Sequence, residues 1–332
     1  MSFMIGDVEI KGKVILAPMA GITSFSYRKF MQPFGCALTY SEMISDCALI
    51  QGNHETKKLF ASDGKSDRPL ALQIFGGNEE TLLEALDILN KYTSNYDILD
   101  LNLACPVPKV TKNNGGSSWL KDQNKLFDMV SKIVKASSKP VSCKIRLGFD
   151  DINVEDTVKT LERAGVKFIA IHARTKKQLY SGEPNFKALE NIHNIISIPW
   201  CVSGNIFTVK DALEALKITK CDAIMVARGA EGNPELISNI NHALNNEPYD
   251  EKKDFLKQCN YLETYITYMF QEFEEITCVR ILRGILPHFF DGTTGTKQLK
   301  NELCSNTNSK QDIFNIINKY KVLYFNRDDN HS

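Results

Sequence analysis

Residues 98–116 read ILDLNLACPVPKVTKNNGG, and this stretch decides how the rest of the chain is interpreted. A short apolar run, predicted as a strand over 98–101, leads into Cys105-Pro106. A loop with two lysines and a glycine pair follows before the next predicted helix. This order places one thiol at the carboxyl end of a strand, beside cations and beside backbone that a ligand can approach closely. It predicts a site for chemistry rather than for packing.

The same alternation of strand and helix recurs along most of the chain. Short apolar runs predict strands over residues 14–17, 37–40, 70–75, 98–101, 141–145, 168–172, 200–202 and 223–226. The amphipathic segments between them predict helices, which parallel strands need as crossover connections. Eight such units in about 240 residues predict an α/β fold of the (β/α)8 TIM barrel type. An open doubly wound sheet is the alternative, but the GxGxxG sequence expected after its first strand is absent.

The pattern changes after Pro248, where apolar residues recur at helical spacing only. We therefore predict two domains. The division places a barrel over residues 1–246 and a smaller all-helical domain over residues 247–332.

The composition of the chain limits the kinds of function and location that we expect. The 332 residues include 40 basic and 40 acidic side chains, so any nucleic-acid binding must come from a local patch. Nine cysteines without a CxxC pair predict reduced thiols and a cytoplasmic location rather than a disulfide framework or structural zinc. Neither a signal peptide nor a membrane-spanning run is predicted. We also expect no metal and no obligate protein partner.

In a (β/α)8 barrel the active site lies at the carboxyl ends of the strands. The residues there are mostly polar or glycine, and the candidates are Pro18, Met19, Ala20, Gln73, Asn102, Cys105, Lys144, His172, Ser203, Gly204, Asn205, Ala227 and Arg228. Gln73, taken alone, could equally be a hydrogen-bonded core residue. A lone histidine is more often a core residue than a functional one, but the position of His172 at a strand end favours a functional role. On strand five we expect only one of Lys144 and Arg146 to point inward.

The last two strands end in glycine loops that match the phosphate site of such barrels, with Arg228 as an additional donor. Lys144 and Gln73 would reach inward towards the same site. Together these features predict a phosphorylated planar cofactor, and FMN fits. A lysine near the flavin would stabilise the charge that develops on reduction.

Several motifs resemble those of tRNA-dihydrouridine synthases. They are LAPMAGIT at 16–23, CPVPKV at 105–110, KIRLG at 144–148, HART at 172–175, and ARGA at 227–230 with the following Asn233-Pro234. The matches keep their order over roughly residues 10–240, and the helical tail resembles that family's RNA-binding domain. The similarity is greatest to the bacterial B-type branch.

The resemblance implies reduction of the C5=C6 bond of chosen uridines in tRNA by FMN, which NADPH recharges. Cys105 would be the general acid that protonates C5 while hydride goes to C6, and an ordinary thiol is mostly protonated at neutral pH. The flavin ring would contact Pro18, Met19, Ala20, Gln73, Lys144 and His172. Its phosphate end would contact Ser203, Gly204, Asn205, Ala227 and Arg228. The uracil would contact Asn102.

Binding of tRNA would use local basic residues, namely Lys109, Lys112, Arg174, Arg280 and Arg283. Two departures from the family pattern stand out. Ser203-Gly204-Asn205 replaces the usual Asn-Gly-Asp, and Ala104 replaces a glycine, which matters only if the backbone there needs positive φ.

Two other functions remain open on the sequence. An FMN barrel acting on a free pyrimidine, as in dihydroorotate dehydrogenases, would explain the flavin residues but neither the tail nor the basic rim. A tRNA-binding protein without catalysis would explain the tail, but not the set of Cys105, Lys144 and His172.

Overall fold

A computed structural model describes residues 2–52 and 54–328. Its strands are β1 (Ser2–Ile5), β2 (Val8–Lys11), β3 (Val14–Leu16), β4 (Thr39–Tyr40), β5 (Ile44–Ser45), β6 (Leu70–Phe75), β7 (Ile98–Leu103), β8 (Val141–Arg146), β9 (Phe168–His172), β10 (Trp200–Ser203) and β11 (Ala223–Val226). The helices that connect them are α1 (Phe25–Met31), α2 (Asp46–Gln51), α3 (His54–Leu59), α4 (Glu79–Tyr92), α5 (Pro108–Thr111), α6 (Gln123–Ala136), α7 (Val154–Arg163), α8 (Ile192–Ile195), α9 (Val209–Thr219) and α10 (Glu235–Leu244).

The strands β3 to β11 form one parallel sheet in the order β3-β11-β10-β9-β8-β7-β6-β4, with β5 paired to β6. The backbone bond from Leu16 N to Leu38 O, 3.0 Å long, brings the two ends of this order together. The sheet therefore closes into a barrel with helices between its strands, which confirms the predicted α/β barrel.

Local sequence explains where the covering helices begin. The side chain of Asn78 accepts hydrogen bonds from the backbone at the start of α4, Asp122 does the same for α6, and Thr208 forms a capping box with Asp211 at α9. Each of these helices buries an apolar stripe, such as Leu82, Leu86 and Leu89 of α4.

The N-terminal hairpin of β1 and β2 is absent from the sequence prediction. Ile5 and Ile10 are fully buried and belong to the same apolar cluster as the first residues of several barrel strands, including Phe168 and Ala223. Phe3 stacks on Phe168 with ring centroids 5.8 Å apart. The hairpin therefore covers the amino-terminal end of the barrel, opposite the predicted site.

The C-terminal part is all-helical, as predicted. It consists of α11 (Phe255–Glu272), α12 (Glu275–Ile285), a 3-10 turn (Leu286–Phe290), α13 (Lys297–Ser305) and α14 (Lys310–Asp328). The predicted division at 246/247 falls in the connection between α10 and α11, and we retain it as a proposal. Within the described residues, no helix has the length and apolar character needed to cross a bilayer.

The helical part is held against the barrel by bonds to backbone atoms. The carboxylate of Glu272 at the end of α11 accepts hydrogen bonds from the N–H groups of Phe25 (3.2 Å) and Ser26 (2.6 Å), at the start of α1. Lys253 Nζ donates to the carbonyl oxygens of Gly232 and His288, each 3.2 Å away. The two parts therefore meet at the start of α1 and at the loop that follows β11.

Candidate active site

A cavity of about 490 Å³ lies at the carboxyl ends of the barrel strands, a volume typical of small-molecule sites. Most of the sequence-predicted residues line it, namely Pro18, Met19, Ala20, Asn102, Cys105, Lys144, His172, Ser203, Gly204, Asn205, Ala227 and Arg228. The barrel thus brings together residues that are more than 200 positions apart in the chain, such as Pro18 and Arg228.

The remaining predicted residues lie outside the cavity lining. Gln73 is 1% exposed and lies behind Asn102, to which it is hydrogen-bonded. Lys109 and Lys112 are exposed on and just after α5, next to the Cys105 loop. Arg280 and Arg283 are exposed on α12 of the helical part. Their proposed contacts with cofactor or RNA stay predictions.

Backbone contacts fix the position of Cys105. Asn102 Oδ1 accepts hydrogen bonds from Ala104 N (3.1 Å) and Cys105 N (2.9 Å), and Ser117 Oγ donates to the carbonyl oxygen of Cys105 (2.9 Å). Ala104 has no positive φ, so an alanine is unstrained at this position. Burial raises the pKa of the Cys105 thiol, with Arg146 and Lys144 opposing the rise. The thiol therefore keeps its proton at neutral pH.

Lys144 and Arg146 both line the cavity, so the expectation that only one points inward is wrong. The physical reason is that residues two apart on a strand share a face. Burial lowers the pKa of Lys144 to about 8. Arg146 Nε donates to the carbonyl oxygen of Ala104 (2.8 Å), so this guanidinium supports the Cys105 loop as well as the cavity wall.

His172 is a neutral hydrogen-bonding group in this cavity. Burial, and then the charges of Lys144 and Arg146 among nearby cations, lower its pKa well below the ordinary range. Its Nε2 lies 3.4 Å from Arg174 Nη1, and its Nδ1 lies 3.3 Å from Ser203 Oγ. Because an arginine only donates, Nε2 accepts and Nδ1–H donates to Ser203.

Arg174 lies fully buried behind this wall. Its guanidinium donates to the carbonyl oxygens of Ser181 (3.3 Å) and Gly182 (2.6 Å) and to Asn205 Oδ1 (3.1 Å). The position thus organises the loop after β9, and a direct contact of Arg174 with RNA stays a prediction. Asn205, at φ +48°, provides an amide oxygen where the family pattern has a carboxylate.

Sequence reasoning missed several lining residues, among them Met43, Tyr180, Phe207 and Glu231. Tyr180 is 56% exposed at the cavity mouth, and the guanidinium carbons of Arg146 and Arg228 lie 5.4 Å and 5.2 Å from its ring centroid. The available signal was an aromatic residue in the loop after a barrel strand, a position that normally faces the site.

The donor set fits a phosphorylated planar cofactor. Lys144, Arg146 and Arg228 give the cavity positive charge, while Ala17, Met19 and Ala227 give it apolar wall. Arg228 also begins the short 3-10 turn (Arg228–Ala230) after β11, the place where barrels of this type bind phosphate. Among residues 2–52 and 54–328, no group of three or more His, Cys, Asp or Glu side chains could hold a metal ion.

The model of one protein family, "Dihydrouridine synthase (Dus)", matches residues 15–323. The chain belongs to the dihydrouridine synthase family. This confirms the sequence resemblance and makes the protein an oxidoreductase. The match covers the barrel and most of the helical part.

Curated relatives agree with this membership. The chain is similar to a "Probable tRNA-dihydrouridine synthase" of Aquifex aeolicus, at 31% identity over 91% of this chain and 94% of that protein. It is similar to the "tRNA-dihydrouridine synthase B" of Pseudomonas aeruginosa, at 31% identity over 72% of each chain. The protein of the same name from Pasteurella multocida is 26% identical over 98% of each chain.

Solved structures of other proteins share the fold of this chain. An old yellow enzyme homologue from Zymomonas mobilis has a TM-score of 0.52 at 11% identity, covering 80% of this chain and 95% of the other. Histamine dehydrogenase from Rhizobium sp. 4-9 has a TM-score of 0.53 at 13% identity, covering 80% of this chain and 50% of the other. At these identities the likeness shows the fold alone.

Proposed function

We propose that this protein reduces uridines in tRNA to 5,6-dihydrouridine. The observation that carries the proposal is a buried, protonated thiol, Cys105, at the wall of a cation-lined cavity in a chain of this family. A protein that only binds tRNA would have no use for a cysteine held by backbone bonds at such a wall. The curated relatives named as tRNA-dihydrouridine synthases support the same substrate class.

FMN is the proposed cofactor. Lys144, His172 and the Pro18–Ala20 segment would hold its ring, while Ser203–Asn205, Ala227 and Arg228 would hold its phosphate end. Neutral His172, held by its bonds to Arg174 and Ser203, can lie against the ring there without adding charge. When bound, reduced FMN supplies a hydride to C6 of uracil. NADPH is the proposed reductant.

Cys105 would supply the proton. The raised pKa of its thiol keeps the proton on Sγ until uracil accepts it at C5. The thiolate that remains lies near the positive charges of Arg146 and Lys144, which stabilise it. The chain therefore favours the protonated thiol before the transfer and compensates the charge after it.

The tRNA would be held by two groups of basic residues, one on the barrel and one on the helical part. Lys109 and Lys112 are exposed beside the Cys105 loop, and Arg280 and Arg283 are exposed on α12. A uridine in folded tRNA is stacked, so contacts to the RNA backbone must offset the cost of extruding the base. We propose that this takes place in the cytoplasm.

The experiment compares Cys105→Ala with Cys47→Ala, a change at an exposed cysteine outside the cavity. Each holoenzyme is incubated with NADPH and with tRNA that lacks dihydrouridine, and the nucleosides are then quantified by mass spectrometry. We expect Cys105→Ala to keep its flavin and to lose roughly 100-fold or more in rate, the usual contribution of a general acid. Cys47→Ala should match the wild type.

Free uridine is the second substrate in the same assay. Turnover of free uridine at the rate seen with tRNA would favour the free-pyrimidine reaction instead. A near wild-type rate in Cys105→Ala would refute the assigned proton donor. A purified protein without flavin absorbance would contradict the cofactor.

A further inference from the structure

A chain of buried polar side chains runs behind the cavity, across three neighbouring strands. Ser142 Oγ on β8 donates to Asp100 Oδ1 on β7 (2.5 Å), and Gln73 Nε2 on β6 donates to Asp100 Oδ2 (2.8 Å). Asn102 Nδ2 then donates to Gln73 Oε1 (2.8 Å). Asp100 and Ser142 are fully buried, and only Asn102 of these four lines the cavity. Contact with a ligand is therefore not what accounts for the two innermost residues, Asp100 and Ser142.

The carboxylate at the inner end sets the direction of each bond in this chain. An ionised carboxylate only accepts hydrogen bonds, so Gln73 turns its NH2 group towards Asp100 and its oxygen towards Asn102. Asn102 consequently presents its NH2 group to Gln73. Its oxygen is left to accept the backbone N–H groups of Ala104 and Cys105.

Asp100 carries its charge at neutral pH. Burial raises its pKa to about 6, and the bonds from Ser142 and Gln73, together with the positive charge of Lys144, oppose that rise. A buried carboxylate is costly unless its oxygens are satisfied, and here both are. At neutral pH the Asp100 carboxylate therefore only accepts hydrogen bonds, as the direction of the bonds from Ser142 and Gln73 requires.

The same direction determines what Asn102 offers to the cavity. Its Nδ2 also lies 3.4 Å from the Met43 thioether sulfur, which is a weak acceptor, and both residues line the cavity. A carbonyl oxygen entering at this point would replace the sulfur as the better acceptor. Asn102 is thereby a donor towards the cavity, which suits a base with carbonyl groups on its edge, as uracil has.

We propose that Asp100 is a positioning residue that acts through Gln73, fixing Asn102 as a donor towards the cavity and holding the Cys105 backbone in place. This inference rests on the proposed function and deepens it, because it assigns the discrimination for a carbonyl-bearing base to a residue that touches neither base nor flavin.

Two substitutions of Asp100 separate the effect of hydrogen-bond direction from the effect of the carboxylate charge. Asp100→Leu removes the acceptor at the inner end of the chain. Asp100→Asn keeps the shape and can turn its amide oxygen to Gln73 and its NH2 group to the Ser142 oxygen, so it preserves the direction without the charge. Gln73→Leu interrupts the same chain with Asp100 unchanged, and it serves if Asp100→Leu does not fold.

Three measurements are made on each full-length holoenzyme: kcat and KM for tRNA, flavin reduction by NADPH, and alkylation of Cys105 by iodoacetamide followed by peptide mass spectrometry. Exposed Cys47 is the internal reference for alkylation. We expect Asp100→Leu and Gln73→Leu to lower kcat roughly 10- to 100-fold, the effect of leaving a buried hydrogen-bonding group without its partner. Cys105 alkylation should rise relative to Cys47 in both variants, whereas flavin reduction by NADPH should stay unchanged in Asp100→Leu, because Asp100 is buried and does not line the cavity.

Asp100→Asn should behave as the wild type in all three measurements. Wild-type kcat and alkylation in Asp100→Leu and Gln73→Leu would overturn the proposal. Equal losses in Asp100→Asn and Asp100→Leu would also overturn it, because the effect would then belong to the charge. A wild-type enzyme inactive on tRNA would contradict the proposed function instead, while the alkylation comparison would still decide the positioning role.

Discussion

The loop that carries Cys105 passes directly against Gly116, and Gly116→Ala tests how closely the thiol is placed. Gly116 has φ +56°, in the left-handed region. A Cβ built on it would lie 2.7 Å from the Cys105 carbonyl oxygen and 3.0 Å from Cys105 Cβ. The next residue, Ser117, donates both its N–H and its hydroxyl to that same oxygen. The new methyl group therefore cannot be accommodated without moving the cysteine.

The expected loss of stability has two parts. A left-handed conformation costs an L-residue about 1–2 kcal/mol, and the stiffer unfolded chain returns about 0.4–1 kcal/mol of this. Overpacking against the Cys105 backbone adds about 1–3 kcal/mol. The matched control is Gly292→Ala, since Gly292 has φ +81° but nothing within 4 Å of its Cβ position. The control should show the first part alone.

The assay combines urea unfolding with the rate of dihydrouridine formation in tRNA. We expect Gly116→Ala to lose about 1–3 kcal/mol more than Gly292→Ala, the overpacking part. If the methyl group moves the thiol by about 1 Å, the rate should fall roughly 100-fold. Equal stability losses in the two variants, or full activity in Gly116→Ala, would refute the reasoning.

Three further outcomes are expected. Arg280→Glu combined with Arg283→Glu should weaken tRNA binding in filter or anisotropy assays while NADPH oxidation persists; unchanged affinity would remove this face of α12 from the RNA site. Lys144→Met should raise the melting temperature of the flavin-free protein at pH 7. Burial lowers the pKa of Lys144 from 10.5 in the unfolded chain to about 8 in the folded protein. Between these two pH values the unfolded chain binds more protons than the folded protein, so the stability of the wild type should rise with pH and approach that of the variant. Glu272→Leu should cost about 1–3 kcal/mol in urea unfolding, since the backbone N–H groups of Phe25 and Ser26 lose their acceptor, whereas exposed Glu274→Leu should cost little.

The sequence predicted the barrel well because its strands are buried on both faces. Residues 70–75, 168–172 and 223–226 are strands with the predicted limits, and β7 extends two residues further than predicted. Continuous apolar runs between polar breakers carry a strong signal. The hairpin of β1 and β2 was missed because only one residue of each strand, Ile5 and Ile10, is buried, so neither strand forms a continuous buried run. Their alternation around Gly6-Asp7 was the available signal.

The site was predictable where the residues belong to strand ends, and less so where loops or side-chain partners decide. Cys105, Lys144 and Arg228 follow from the barrel geometry alone. The hydrogen bond between Gln73 and Asp100 forms because the two residues are neighbours across β6 and β7. A single sequence does not state how the strands pair. Arg174 likewise turns inward because the loop after β9 folds back over it.

The hydrogen bonds that join the helical part to the barrel have a consequence for chimaeras in which one relative supplies the barrel and another supplies the helical part. On the barrel side, Glu272 and Lys253 bind the N–H groups of Phe25 and Ser26 and the carbonyl of Gly232. Main-chain atoms are present whatever side chains a barrel carries. In a chimaera, a foreign helical region should therefore dock against the barrel in the native orientation, provided that it retains the carboxylate of Glu272 and the amine of Lys253.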